Sequence, residues 1–411
     1  MRKELKQIAS IVELIGQING ILRQQNPMEE QMKEDMLAGI AETNMQVFGC
    51  AELPVASMDL EETDSSKFCS QADQWLSLMR MELDTRKTLT TKVDYDFHVF
   101  IQHVKMVSEE VLIAEGVKHL LDIRQASETM YQQIIAFHNR FSDFWGEIDL
   151  DKGKLDLLSD RAKQLKHHTE DFIWLYHELA DYRSKKVLYG ILHFWLTFDY
   201  DEKRLIKENN YDDYFDYDLF VCDSEEVFVD VGAFNGDSAK SFIDNYGSYK
   251  RIYCYEITET SCEKLQNTLA EYDDIVYRNV GAGDKNEMLH MQMAGTGDSC
   301  NRVSETEGTP VEIVRLDDDI TEPVTFIKMD IEGSELAALE GAKGHIRKDK
   351  PKLAICTYHN NHHIWEIPRK IKEYNPDYKL FMRYNGSWDG IVVSEFVTFA
   401  VDNVPPMKAA E

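Results

Sequence analysis

Hydrophobic positions change their spacing once along the chain. Up to about Asp201 they recur every three or four residues, the period of one face of an α-helix. In QADQWLSLMRMEL, Trp75, Met79 and Leu83 fall four apart; in MYQQIIAFHNRFSDFW, Ile134, Phe137, Phe141 and Phe144 follow three- and four-residue steps. Both stripes predict helices that pack into a core. Gly49 to Lys67 carries Pro54, small residues and acids, and reads as a loop between helices. From Val227 the period shortens. EVFVDVG, RIYCYE, VTFIKMDI and PKLAICTY are each followed by a helical run, DIVYRNV comes between, and YKLFMRY and EFVTFAV close the chain. Strand–helix alternation predicts an α/β fold, a doubly wound Rossmann-like parallel sheet behind an α-helical N-terminal domain. The near-continuous apolar strands fit burial on both faces. The two closing strands have little between them and predict an antiparallel edge. Residues 1–150 are expected as a helical domain for oligomerisation or partner binding, 151–225 as a helical lead-in, and 226–402 as the sheet domain.

At 411 residues the chain is too long for one average domain. Its formal net charge of −29 argues against nucleic acid or an anionic membrane surface as partner. The seven cysteines, Cys50, Cys69, Cys222, Cys254, Cys262, Cys300 and Cys356, form no C-x-x-C, so neither a disulfide framework nor a zinc site is expected. The N-terminal twenty residues interleave charges with apolar positions, unlike a signal peptide. The longest greasy run, Val187 to Phe198, contains His193 and is too short to span a bilayer. A cytoplasmic protein is expected.

The stretch VFVDVGAFNGD, Val227 to Asp237, runs a strand into two glycines. In a doubly wound sheet, ligands bind beyond the C-terminal strand ends, at the first strand–helix turn. Gly232 and Gly236 let backbone approach a ligand closely. Glu256, followed by Ile257, ends the second strand twenty residues beyond Gly236. An acid at that spacing holds ribose hydroxyls. The loop reads G-A-F-N-G, without the third glycine of a dinucleotide fingerprint, and Asp230 and Asp237 flank it. Asp237, at the opening of the next helix, would repel a pyrophosphate there. S-adenosylmethionine carries a ribose, a sulfonium and an ammonium but no phosphate, so the acids favour it over NAD.

Four motifs carry a resemblance: EVFVDVGAFNGDS (Glu226 to Ser238), IYCYEITE (Ile252 to Glu259), VTFIKMDIEGSELAALEGA (Val324 to Ala342) and KPKLAICTYH (Lys350 to His359). The third is the most specific, through K-x-D-I-E-G-x-E after a strand. The region from about Tyr182 to Val401 resembles the FkbM-type S-adenosylmethionine-dependent methyltransferases, most closely the subgroup with a helical segment ahead of the catalytic fold. The resemblance implies that the loop Asp230, Gly232, Ala233, Phe234, Asn235, Gly236, Asp237 and Ser238 holds the methionine part of the donor. It implies Glu256 on the ribose, the backbone of Gly281 and Ala282 near the adenine, and Asp330 facing the transferred methyl. The chain departs from the subgroup at NNHH after His359 and at NGSWDGIVV, Asn385 to Val393, both at the edge of the expected acceptor site.

Methyl transfer to a hydroxyl needs a base. Asp330, Glu332 and His359 are the candidates. Asp330 and Glu332 sit two apart at a strand end and share a face, so one carboxyl is expected to titrate high. Glu332 also fits a plain charge at a helix N-terminus. His359 and His363 have the spacing of a helical metal-ligand pair, but no metal is assigned, and the histidines read as a loop and helix start. Two functions fit: O-methylation of a hydroxyl on a sugar, glycan or other small molecule, or a non-catalytic donor-binding scaffold working through the helical half. Near the N-terminus, Leu5, Ile8, Val12, Ile15, Asn19 and Leu22 follow a 3-4-3-4-3 seam. It fits a helix packed on its own domain, or a homodimer paired through that helix.

Overall fold

A computed structural model describes residues 89–208, 213–292, 302–304, 308–386 and 392–402. The chain divides into two compact units, Met1–Tyr95 and Asp96–Glu411, and apart from the first turn of the first helix the second holds the features below. The heptad seam from Leu5 to Leu22, the Trp75 stripe, the loop from Gly49 to Lys67, and Cys50, Cys69 and Cys300 lie outside the described residues, as does much of Asn385 to Val393. One apolar core runs from Phe97 and Leu120 through Leu188 to the strand residues Val229 and Leu353, so the helices from 97 onward fold with the sheet.

Among the described residues eight helices come first: α1 (Lys92–Met106), α2 (Glu109–Ala126), α3 (Glu128–Arg140), the short α4 (Ser142–Trp145), then, after a short hairpin of two-residue strands β1 (Ile148–Asp149) and β2 (Lys154–Leu155), α5 (Asp156–His167), α6 (Thr169–Glu178), α7 (Tyr182–Thr197) and α8 (Tyr200–Ile206). The α/β part follows as β3 (Val227–Val231), α9 (Asp237–Tyr246), β4 (Arg251–Tyr255), α10 (Glu259–Thr268), β5 (Ile275–Arg278), β6 (Gly281–Ala282), β7 (Glu287–Gln292), β8 (Arg302–Ser304), β9 (Thr309–Val314), α11 (Leu316–Asp319), β10 (Phe326–Met329), α12 (Glu335–Gly341), α13 (Lys343–Lys348), β11 (Lys352–Cys356), α14 (His363–Tyr374), β12 (Lys379–Tyr384) and β13 (Phe396–Val401). Among the described residues no helix is long and apolar enough to cross a membrane.

The main sheet has seven strands in the order β12-β13-β11-β10-β3-β4-β5. β11, β10, β3, β4 and β5 are mutually parallel. β13 runs antiparallel to both β11 and β12. The expected antiparallel edge is present, with one change: the last strand inserts between β11 and β12 instead of closing the sheet. Successive side chains alternate across the sheet. Val229 and Val231 face the helices of the first core, while Phe228 packs with Phe242 of α9 and Leu265 of α10 on the other face. A second sheet, β6-β9-β7-β8, sits beyond β5 in the chain.

Polar ties fix the helical part to the sheet. Asp181 caps α7 through the Ser184 N–H at 2.8 Å and accepts from Arg383 of β12 at 2.7 Å. Arg383 also donates to Asp216 at 2.7 Å and is almost fully buried. Such bidentate, desolvated guanidinium pairing is strongly directional. Trp145 Nε1 donates to the Tyr358 carbonyl at 2.9 Å, and Asn361 donates to Asp160 at 2.7 Å. Helices α4 and α5 are thereby held against the C-terminal end of β11. The order of strands reverses between β3 and β10, and their C-terminal ends lie level there, since Met329 pairs with Val231. That is the switch point at which such sheets bind ligands.

Candidate active site

A cleft of about 830 Å³ opens at this switch point. Its floor begins where β3 ends. The Gly232 and Ala233 N–H groups both donate to the Tyr255 carbonyl, at 2.9 and 3.0 Å, which turns the chain sharply after the strand. Gly232 has φ +80°, and a Cβ there would lie 1.9 Å from the Asp330 carbonyl oxygen. The glycine is thus required by the close crossing of two backbone segments as well as by any ligand. Asn235 turns the loop by accepting from the Asp237 N–H at 3.1 Å. Gly236, at φ +88°, packs against Leu265 of α10.

Glu256 is 7% exposed, and its two oxygens accept from the Phe234 N–H at 2.9 Å and the Thr258 N–H at 2.7 Å. Burial raises its pKa, and these backbone donors partly offset that. A carboxylate has about four acceptor positions, so these two backbone donors do not fill it. Next to it, Ile257, Val280, Gly281, Ala282 and Ile313 form an apolar slot. A Cβ on Gly281 would lie 2.6 Å from Ile313 Cδ1 and 3.0 Å from Ile257 Cδ1, so the glycine keeps the slot open.

The opposite wall is charged. Asp330 follows β10, and its two oxygens accept from the Tyr214 hydroxyl at 2.7 Å and the Tyr358 hydroxyl at 3.2 Å. His359 Nε2 lies 3.4 Å from Asp330 and 3.5 Å from Glu332, and Nδ1 lies 2.8 Å from Glu335. Burial works against the charged imidazole, but Glu335, Glu332 and Asp330 together outweigh it, and the His359 pKa rises to about 10. Burial pushes the Glu332 carboxyl up to about 7, with His359 opposing and Asp330 adding to the rise. At neutral pH His359 therefore already holds its proton, which makes it a poor base in this arrangement. Tyr214, Phe234, Glu332 and Glu395 all line the cleft with positive φ, between 46° and 70°. Non-glycine residues held in that region cluster at functional sites.

Of the expected residues, Gly232, Phe234, Asp237, Ser238, Glu256, Ile257, Gly281, Ala282, Asp330, Glu332 and His359 line this cleft. Asp230, Ala233, Asn235 and Gly236 do not. Asp230 and Ala233 are fully buried. Asp230 instead lies 3.0 Å from Lys328 and accepts from the Ser238 hydroxyl at 2.5 Å. It shapes the loop from beneath.

Residues 230–386 match the model of the methyltransferase FkbM domain. This segment is an FkbM methyltransferase domain. Among solved structures, methyltransferase FkbM from Methylobacillus flagellatus KT is similar, at 28% identity and a TM-score of 0.51 over 60% of this chain and 63% of that one. The chain thus spans less than two thirds of that protein's length. An rRNA methylase from Streptococcus thermophilus shares 15% identity at a TM-score of 0.29, over 45% of this chain and 89% of that one. Aeropyrum pernix fibrillarin, solved with natively bound S-adenosyl-L-methionine, shares 12% at 0.28, over 44% and 67%. Likeness at those two scores says nothing further about this chain. No curated protein matches it.

The FkbM domain does not build the cleft alone. Phe137 of α3, Phe141 just after it, and Phe144 and Trp145 of α4 close one side of it from outside the matched segment. The stripe of Ile134, Phe137, Phe141 and Phe144 does pack in the core as its spacing predicts, and one end of it opens on the site. Tyr214, Lys328, Tyr358 and Glu335 also belong to the site and carry no role in the sequence reading. For Lys328 and Glu335 the signal was present, as the first and last letters of K-x-D-I-E-G-x-E. For Tyr214 no periodic or motif signal exists.

Proposed function

We propose that the domain transfers a methyl group from S-adenosylmethionine to a hydroxyl oxygen of a sugar, glycan or other small polyhydroxyl molecule. The observation that carries this reading is the meeting, in one cleft, of a braced carboxylate beside an open apolar slot and an acid cluster at the tip of β10. The residues fit the donor. Glu256 keeps acceptor capacity for a ribose hydroxyl, the slot at Gly281 admits a flat base, and Asp237 and Asp330 present negative charge to a cation. When bound, the donor supplies an electrophilic methyl carbon on a sulfonium. The chain's own work is to position and to accept a proton. Glu332, at the cleft wall, 29% exposed and with its carboxyl pushed up to about 7 by burial, is the carboxylate placed to take the acceptor's proton. The aromatic wall of Phe141, Phe144 and Trp145 excludes water and offers flat apolar surface to an acceptor ring.

The test is labelled transfer. Protein incubated with methyl-labelled donor and carbohydrate fractions should place label in a product stable to mild alkali, as an ether is and an ester is not. Label confined to protein, or to alkali-labile products, would overturn the hydroxyl assignment. Donor binding has its own prediction. Glu256→Ala should weaken S-adenosylmethionine by about 1.5–3 kcal/mol, the scale of hydrogen bonds to a charged group. It should also lower thermal stability, because the Phe234 and Thr258 N–H groups lose their acceptor. Calorimetric titration giving wild-type affinity in this variant would remove Glu256 from the donor site.

A further inference from the structure

The charged wall holds more negative charge than its own cations balance. Asp330, Glu332 and Glu335 surround one imidazole, His359, and Lys328 is already engaged by Asp230 and by the Gly232 carbonyl at 2.7 Å. Burial makes the imbalance costly, because Glu335 is fully buried and His359 is 3% exposed. A second, separate feature points the same way. Both ring nitrogens of His359, and Glu335 Oε2, are buried without an aligned hydrogen-bond partner. Buried polar atoms in native proteins are almost always satisfied, and exceptions call for an explanation. One ligand atom each from Asp330, Glu335 and His359 can be chosen so that all lie within 4.8 Å of one another.

We propose that Asp330, Glu335 and His359 bind a divalent first-row cation of the Mn²⁺ or Zn²⁺ kind at the cleft wall. Two carboxylates with one imidazole form the mixed oxygen–nitrogen set that suits such ions. The cation takes the place of the proton on one ring nitrogen of His359 and offsets the excess carboxylate charge. His363 Nδ1, 3.3 Å from Glu335 Oε2, holds that carboxylate from behind, and such outer partners tune affinity. Glu332 remains beside the ion, on the cleft side. On the methyl-transfer reading, the ion would polarise the acceptor hydroxyl from the side of Asp330. The binding site itself does not depend on that reading.

The full-length protein, stripped with chelator, is titrated with Mn²⁺ at roughly 0.15 M salt to screen the net charge of −29. The expected result is one saturable site per chain, with nitrogen coupling in the pulsed EPR spectrum of the bound ion, and displacement of Mn²⁺ if Zn²⁺ is preferred. His359→Gln should abolish the nitrogen coupling and weaken binding by about 100-fold or more, with unchanged circular dichroism. Glu335→Gln should weaken binding similarly; if it fails to fold, the nitrogen coupling in the wild type and its loss in His359→Gln decide the question. No saturable site for either ion below millimolar, or a site that persists unchanged in His359→Gln, overturns the proposal. Donor titration is run separately without metal. Loss of donor binding with the cation site intact counts against methyl transfer alone, and the reverse result counts against the cation site alone.

Discussion

Gly232→Ala should lower the stability of this protein by roughly 3–5 kcal/mol, through left-handed backbone strain added to overpacking. The new Cβ would lie 1.9 Å from the Asp330 carbonyl oxygen and 2.9 Å from its carbonyl carbon. Neither side can yield cheaply. The Gly232 N–H donates to the Tyr255 carbonyl at 2.9 Å, and the Gly232 carbonyl accepts from Lys328 at 2.7 Å. Across the gap, the Asp330 N–H donates to the Val231 carbonyl at 3.0 Å. Relief requires β3 and β10 to part at their C-terminal ends, which moves the donor loop and Asp330 together. The melting temperature should fall by on the order of 10 °C, and S-adenosylmethionine binding should fall with it. Gly281→Ala is the contrasting change. Its Cβ meets only the ends of Ile313 and Ile257, at 2.6 and 3.0 Å, so flexible side chains can move into the slot. It should reduce donor affinity with a much smaller change in melting temperature. Scanning calorimetry separates the two: a Gly232→Ala melting point within about 2 °C of wild type would mean that the crossing is loose.

This contrast also shows what the sequence could and could not announce. Short apolar runs separated by helical ones were enough for the parallel sheet, because strands buried on both faces must be apolar throughout. The same property hid the role of Asp230. In a strand buried on both sides, an acid gives no sign of which way it points, and a glycine loop next to it invites a ligand-facing assignment. Its partner, Lys328, is the residue opposite it in the β3–β10 register, and that pairing is set by tertiary structure almost a hundred residues later. The same holds for the aromatic wall. Phe137 and Phe144 obey helical spacing whether the stripe ends in core or at a cleft, so periodicity alone could not separate the two. His359 failed differently. The residue was found, but its proton was not, because that depends on Glu335 at 2.8 Å, a neighbour supplied by another element. The insertion of β13 between β11 and β12 was hidden for a related reason, since local spacing favours pairing but does not fix which side of a partner a strand takes.

Lys328→Met should cost about 3–5 kcal/mol, the usual penalty for removing one partner of a buried ion pair. The Lys328 side chain is 3% exposed and Asp230 is fully buried, with 3.0 Å between their charged atoms. Burial raises the Asp230 pKa, and Lys328 with the Ser238 hydroxyl hold part of that rise back. Without Lys328 the carboxylate would stand alone in apolar surroundings, and its folded-state pKa would climb further above the unfolded value of about 4. The sign of the pH dependence follows. A raised folded-state pKa means that the native state binds a proton that the unfolded chain has released. That contribution is fully present below about pH 4 and is lost as pH rises through the raised folded value, at about 1.4 kcal/mol per pH unit in between. The deficit of Lys328→Met relative to wild type should therefore be larger at pH 8 than at pH 5. In the pair Asp230→Asn with Lys328→Met no buried charge is left, so the double variant should regain part of the stability and lose the extra pH dependence. Urea unfolding of all three proteins at both pH values reads this directly. An equal deficit at pH 5 and pH 8 would show that Asp230 already carries a proton in the native protein, and that Lys328 serves the loop through the Gly232 carbonyl instead.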